Sequence, residues 1–561
     1  MERRMNLLIK GGHVIDGTGA AAFPADVRVS GSRVVELGPD LPAHDNEEVL
    51  DARGAYVTPG FIDTHTHFDA SLYWDPACDP MLSHGVTTVL IGNCGLGLAP
   101  VRSADREQLC SLFAYVEDLP IDLLRAKVPW TWEDFRTYAQ DLAGREFGPN
   151  VAVLVSHSLL RMWAMGEAAW SRAADAAERE AIAGLLAGAM AAGASGLSSS
   201  FYDRTPDGVM VPSVHADDAE FTAIFETLGR HGGVFQTIPS LWDVDLAIKD
   251  LERVAELARP FGVPVISNGI FERPEDHSSH ERMVASARRL NASGARLQHL
   301  ASPRSIELPI RVRDCFPLGT VAAWSEVVSA ATGKEAMLAD PAWRARARKD
   351  WDGASYSKQA RSTRIVKVGK PELSSWIGRM LSDLLAERGG HPSDVMADWF
   401  LENELNAEFV IPISNLDHGI VGQLLAAPEN LISGSDAGAH YQMFSGAGDS
   451  TLVLTRHVRD RGDLPLELAV RKLTGDQADL LGLADRGRIA QGAIADITVF
   501  ALDELNWAAE TIVHDVPGDH PRFTRAPGGY RYTLVNGQVV QQDGQANGVL
   551  AGRFDSELVA A

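Results

Sequence analysis

Cysteine is scarce in this 561-residue chain: Cys78, Cys94, Cys110 and Cys315 are the four, and their spacing shows no pairing. That argues against a disulfide framework and for reduced thiols in a cytosol. Positive charge is also short. Lys and Arg number 51 against 75 Asp and Glu, a formal net charge of −24, which argues against nucleic acid as a partner. Long apolar runs are missing. The charged start Met1-Glu2-Arg3-Arg4 is followed by an apolar stretch that Lys10-Gly11-Gly12 breaks at once, so neither an export signal nor a membrane span is expected. Internal repeats and low-complexity segments are lacking too. What remains is an ordinary globular composition on a chain too long for one small core, which suggests a barrel-sized domain with one or two accessory modules.

The most informative stretch is Phe61-Ile-Asp-Thr-His-Thr-His-Phe-Asp69, set after a Pro59-Gly60 turn. Side chains at i and i+2 of a strand share a face, so His65 and His67 point one way and Thr66 the other. Two imidazoles on one stiff strand make a two-pronged metal ligand. An isolated His-x-His would more often be a pair of exposed strand histidines, and the flanking residues decide for metal here.

That stretch resembles the first-strand signature of the amidohydrolase superfamily. Gly92-Asn93-Cys94-Gly95 with Leu98-Ala99-Pro100, Ser156-His157-Ser158-Leu159-Leu160-Arg161 with Met165-Gly166, and Gly434-Ser435-Asp436 resemble its N-acyl-D-amino-acid deacylase (D-aminoacylase) branch. The tail is similar as well, at Asp485-Arg486-Gly487-Arg488-Ile489-Ala490, Ala495-Asp496 and Val535-Asn536-Gly537. The resemblance implies a metal-dependent hydrolase on a (β/α)8 barrel. It also implies a composite β-sandwich built from both chain ends, residues 1–57 with 487–561, around a barrel at 58–486. Short β runs with glycine turns before residue 57 and after 495 agree. Between them, strand-length apolar runs alternate with helical patterns, as in a parallel α/β arrangement. Inner strands are expected near 60–67, 87–93, 151–156, 196–199, 234–236, 263–268, 296–300 and 431–435. Helices are expected near 178–192, 219–231, 374–388 and 466–481. Residues 301–430 are too many for a βα connection and hold five tryptophans, so they read as an inserted subdomain, either a lid over the barrel mouth or peripheral decoration.

His65, His67, Cys94, His157 and Asp436 fall at C-terminal strand ends in this assignment, where barrel enzymes keep their catalytic groups. A lone cysteine is usually a small buried hydrophobe, and a carboxylate after a strand also serves as a helix cap. The resemblance instead implies that Cys94 is a metal-binding thiolate and that Asp436 is both a metal ligand and the proton acceptor for attacking water. Two imidazoles, a thiolate and a carboxylate suit Zn²⁺ better than Mg²⁺. His157 is the candidate donor to the developing oxyanion, with a histidine satisfied by backbone groups as the alternative.

One departure stands out. D-aminoacylases carry histidines at the ends of the fifth and sixth strands, where this chain has Gln236 and Asn268, and amides are poor zinc ligands. One zinc is therefore expected, with a second left open; Gln236 and Asn268 would hydrogen-bond substrate or water, and His299 is a weaker substitute ligand. Arg161 and Arg204 are candidates to fork a substrate carboxylate, and Tyr202 to pack on its side chain. The expected activity is hydrolysis of a linear amide in the cytoplasm, on a small-molecule substrate, by a monomer or homo-oligomer. A cyclic-amide hydrolase of the hydantoinase type is the alternative enzyme, disfavoured because Gly196-Leu197-Ser198-Ser199-Ser200 offers no lysine to carboxylate. A non-catalytic barrel scaffold is the remaining alternative.

Overall fold

The computed structural model describes residues 6–241, 243–274, 276–312, 316–319, 321–353, 363–441 and 443–554. Eight parallel strands organise it: β1 (Phe61–Asp63), β2 (Val86–Ile91), β3 (Asn150–Ser156), β4 (Gly196–Ser200), β5 (Val234–Ile238), β6 (Val265–Ile270), β7 (Leu297–Ala301) and β8 (Asn430–Ile432). They pair in sequence order, each beside the next. The two outer strands meet through the residues that follow them. His67 N donates to Ala437 O at 2.8 Å and Asp436 N to His65 O at 3.2 Å, so the segment carrying the histidine pair closes the ring against the segment carrying Asp436.

Both faces of these strands are covered, which is why they are runs of apolar residues rather than alternations. Ile62, Leu90, Ala152, Leu154, Val234, Ile266, Leu300 and Leu431 fill the interior together with Leu480, Leu481 and Leu483. The interior is thus packed, as expected of an eight-stranded barrel. β4 is the exception. It contributes serines, and Ser198 Oγ accepts from Gly95 N at 3.0 Å, so the strand that lacks bulk braces the turn bearing Cys94.

The two ends of the chain join edge to edge. Tyr56–Pro59 pairs antiparallel with Ile497–Phe500, with Val57 opposite Val499, inside one nine-stranded sheet drawn from both termini. Leu7, Ile9, Val27, Val29, Ile497 and Val499 form its core. Asp496 ties this sheet to the barrel: its carboxylate accepts from Asn150 Nδ2 at 3.1 Å and Asn536 N at 2.7 Å, and pairs with the buried Arg486.

A second compact unit comprises Glu272–His277 and Arg304–Asp417. It holds a three-stranded antiparallel sheet of Ile306–Ile310, Glu408–Ser414 and Arg364–Lys367. Its own core contains Trp324, Trp343, Trp351, Trp376 and Trp399, with Trp324 and Trp343 edge to face at 5.2 Å. The inserted stretch is therefore shorter than 301–430, because helix His418–Ala426 belongs to the barrel unit. The helix expected over 374–388 is also interrupted. A 3₁₀ turn Pro371–Trp376 precedes helix Leu381–Arg388, with Gly378 between them at φ +91°. No helix among the described residues is long and apolar enough to cross a membrane.

Candidate metal centre and active site

Just beyond β1, Thr64 and Thr66 are tied to neighbouring segments. Thr64 Oγ1 donates to Gln477 Oε1 at 2.9 Å and Thr66 Oγ1 to Leu90 O at 2.8 Å, which leaves His65 and His67 facing the other way. Their rings lie 5.2 Å apart and both are buried. Cys94 reaches the same point from a tight turn after β2, at φ +57°. Gly92 permits that turn. It sits at φ +79°, and a Cβ there would lie 2.2 Å from Leu154 O, so any side chain would push the turn off the strands beneath it. Asp436 follows β8 at φ +54°, a conformation that Asp tolerates better than most residues.

The donor atoms of His65, His67 and Cys94 all lie within 4.8 Å of one another. His65 Nε2 is 3.5 Å from Cys94 Sγ and 3.0 Å from Asp436 Oδ1, and His67 Nε2 is 3.7 Å from that oxygen. Tetrahedral zinc with ordinary bond lengths sets its ligand atoms about 3.3–3.8 Å apart. The three donors His65, His67 and Cys94 fit such an ion, and Asp436 Oδ1 lies against both imidazoles.

The electrostatics match. Burial opposes charge on His65, but Cys94 and Asp436 beside it more than offset this and push its pKa up to about 9. Burial likewise opposes charge on His67, and Glu117, Asp436 and Cys94 raise it well above the usual imidazole range. Burial would raise Asp436, yet the two histidines hold it well below an ordinary carboxylate. The pocket is thus organised to hold positive charge between anionic donors.

A family model for amidohydrolases matches residues 48–289 and 382–541. The chain belongs to the amidohydrolase family. A D-aminoacylase from Alcaligenes xylosoxydans xylosoxydans is 30% identical, over 99% of this chain and 98% of its own. An N-acyl-D-glutamate deacylase of the same organism is 29% identical, over 96% and 94%. A solved D-aminoacylase, studied for one-metal activation and second-metal attenuation at its binuclear centre, superposes with a TM-score of 0.66 at 27% identity, covering 98% of this chain and 99% of its own. This amidohydrolase is accordingly an enzyme acting on carbon–nitrogen bonds other than peptide bonds.

Around the four donors, the structure sorts the other candidates. Gln236 and Asn268 do reach the cluster, but they address Cys94. Gln236 Oε1 accepts from Cys94 N at 2.8 Å, and Asn268 Nδ2 donates to Cys94 Sγ at 3.5 Å. Gln236 Nε2 is buried with no hydrogen-bond partner among the described residues.

His157 is not arranged as an oxyanion donor. Its Nε2 lies 2.8 Å from Glu220 Oε1 and its Nδ1 2.9 Å from Ser199 Oγ, so both ring nitrogens are engaged in a fully buried site. Burial lowers its pKa, and the partners assign a neutral ring donating from Nε2 to the carboxylate. Arg161 is equally committed. Completely buried, it pairs with Glu220 and donates to Arg172 O at 2.6 Å, and no guanidinium fork is left for substrate. His299 is buried with its Nε2 3.4 Å from Met283 O, facing the outer helix Ser279–Ala292, and it is not part of the three-residue donor group. Tyr202 is half-buried and Arg204 exposed, on a turn held by Tyr202 N to Ser200 Oγ at 3.1 Å.

Three carboxylates at the site escape sequence reasoning. Glu117 Oε1 lies 3.1 Å from His67 Nδ1. Burial pushes Glu117 up to about 7, against the pull of His67. Asp69 and Asp203 are raised to about 6 by burial, again opposed by His67. Asp69 sits two residues past His67, where the strand period hints at its side, but nothing local marks Glu117 or Asp203.

Proposed function

We propose that this amidohydrolase is a zinc-dependent deacylase that hydrolyses a linear secondary amide, an N-acyl-D-amino acid or a close chemical analogue. The observation that carries the reading is the meeting of the His65, His67 and Cys94 donor atoms within 4.8 Å of one another, with Asp436 Oδ1 against both imidazoles. These four would hold the ion, which when bound supplies Lewis acidity and lowers the pKa of water to about 7. Asp436 is ionised and partly open to solvent, with 26% of its side chain exposed, so it can reach both the donor cluster and an incoming substrate. It takes the proton released by attacking water and returns it to the leaving nitrogen, so that an amide and water become a carboxylate and an amine.

Gln236 and Asn268 favour a single ion. Both amides are spent on Cys94, fixing the direction of its thiolate, and neither is a competent zinc ligand. Gln236 Nε2 is a buried donor with no partner among the described residues, on the side chain whose Oε1 accepts from Cys94 N, and it takes the oxyanion role in place of His157. Arg204, exposed beyond β4, is the remaining guanidinium candidate to meet a substrate carboxylate, with Tyr202 as the candidate to pack on its side chain. The linear-amide reading is preferred to a cyclic one because β4, all of it buried, carries no lysine. Buried, unpaired Cys78, Cys94 and Cys110 support a reducing cytoplasm, while Cys315 lies outside the described residues.

The test is elemental analysis of the purified chain with an activity screen. About one zinc per chain is expected, with hydrolysis of N-acyl-D-amino acids ahead of the L series, simple anilides and cyclic imides. His67→Ala should lose metal and activity together, whereas Asp436→Asn should keep much of the metal and lose turnover. Two tightly held zincs, or turnover confined to cyclic imides, would defeat the reading.

A further inference from the structure

Of the buried carboxylates at the site that amide hydrolysis leaves unused, Glu117 stands directly behind a donor. Glu117 Oε1 is 3.1 Å from His67 Nδ1, with both side chains at most 3% exposed. The contact is at ion-pair distance, although the ring N–H does not point along it. Glu117 Oε2 has no hydrogen-bond partner among the described residues, so His67 is the group this carboxylate faces. The other face of the same ring presents Nε2 to Asp436 Oδ1 at 3.7 Å. His67 is therefore gripped from both nitrogens. His65 differs in its surroundings: neither ring makes an aligned hydrogen bond from Nδ1 among the described residues, but only at His67 does a carboxylate stand at ion-pair distance from that nitrogen, the His65 pair with Asp436 being at Nε2.

The placement of Glu117 is not what local structure favours. It caps the C-terminus of helix Arg106–Val116, its N–H donating to Phe113 O at 2.9 Å, and a negative charge there opposes the helix dipole. Burial opposes that charge as well. Both local effects disfavour a glutamate, and the contact that offsets them is His67. The backbone of Glu117 is also tied to the loop that carries Asp436, since His440 N donates to Glu117 O at 2.7 Å. The groups flanking the His67 ring are thus coupled through one short main-chain contact.

We propose that Glu117 is a positioning residue for the metal centre: it fixes the ring of His67 from the Nδ1 side and keeps Nε2 aimed at the point shared with His65, Cys94 and Asp436. A carboxylate behind a ligating imidazole sets its tautomer and orientation and raises its basicity, and losing one typically weakens metal binding by about 10–100-fold. This role rests on the zinc reading of the same site.

The experiment uses the full chain, stripped of metal and titrated with Zn²⁺ against a chromogenic chelator, and with Co²⁺ for its ligand-field spectrum. Glu117→Gln, which preserves shape and removes charge, should bind Zn²⁺ about 10–100-fold more weakly. Its Co²⁺ bands should shift or lose intensity, while the metal-free protein unfolds at or above the wild-type temperature. Glu117→Asp should recover part of the affinity. Wild-type affinity and an unchanged Co²⁺ spectrum in Glu117→Gln would overturn the proposal. Should that variant not fold, an unaltered affinity in Glu117→Asp would overturn it equally. A wild-type chain that binds no Zn²⁺ would instead bring down the zinc reading itself, so the two failures are distinguishable.

Discussion

Replacing Glu220 by alanine removes the one acceptor on which two buried side chains depend. Glu220 Oε1 meets His157 Nε2 at 2.8 Å, its Oε2 pairs with Arg161, and all three side chains are at most 1% exposed. Without the carboxylate, Arg161 keeps its bond to Arg172 O at 2.6 Å, but its charge loses its counter-ion. Breaking one half of a buried ion pair costs about 3–5 kcal/mol. The lost histidine bond adds roughly 1 kcal/mol. In thermal unfolding followed by calorimetry, a drop of about 4–7 °C is expected for a unit of this size. Glu220→Gln, which keeps an acceptor oxygen, should fall between the two. If the imidazole touches no reacting atom, His157→Gln, assayed well below its melting temperature, should turn over substrate within a few-fold of the wild-type rate. A Glu220→Ala protein as stable as wild type would refute the structural assignment. Turnover slowed by about two orders of magnitude or more in a folded His157→Gln variant would return the imidazole to the chemistry.

Three further outcomes are expected. His84 is fully buried, and burial with the neighbouring Arg525 charge lowers its pKa to about 3, so the unfolded chain binds a proton that the folded chain refuses. Its contribution is intact above pH 6.5 and is lost as pH falls toward 3, at about 1.4 kcal/mol per unit, and His84→Gln should flatten the stability profile over that window in denaturant titrations. Gly92→Ala should cost several-fold or more in zinc retention, because its Cβ would meet Leu154 O at 2.2 Å and displace the Cys94 turn; retention equal to wild type in a chelator challenge would contradict this. Arg486→Ala should destabilise the chain by about 3–5 kcal/mol by orphaning the Asp496 carboxylate between sheet and barrel. An unchanged unfolding midpoint would show that the junction does not depend on the pair.

Much of the scaffold is legible in local pattern. Each of the eight inner strands lies within a few residues of where its apolar run places it, since a doubly buried strand is a short apolar run bounded by turn residues. His65 and His67 share a face because the strand period is two, whatever surrounds them. Cys94 and Asp436 stand out by motif, through glycines that allow a sharp exit from a strand. The helix expected over 374–388 shows the limit: its apolar spacing is helical, yet Gly378 and the packing of the tryptophan-rich core interrupt it.

Partners distant along the chain carry no such signal. His157 and Arg161 resemble a catalytic histidine and a substrate fork in sequence because their shared counter-charge, Glu220, lies 63 and 59 residues away and is met only across the barrel wall. Gln236 and Asn268 are recognisable as missing histidines, but not as the two amides that hold Cys94. Glu117 has no mark at all, being a helix-end glutamate whose meaning comes from the ring it faces. Periodicity and turn chemistry act between neighbours, and they set the strands and the two-pronged ligand. Charge pairing and desolvation act between whatever the closed barrel brings together, and they decide which buried histidine is held for structure and which is free to bind an ion.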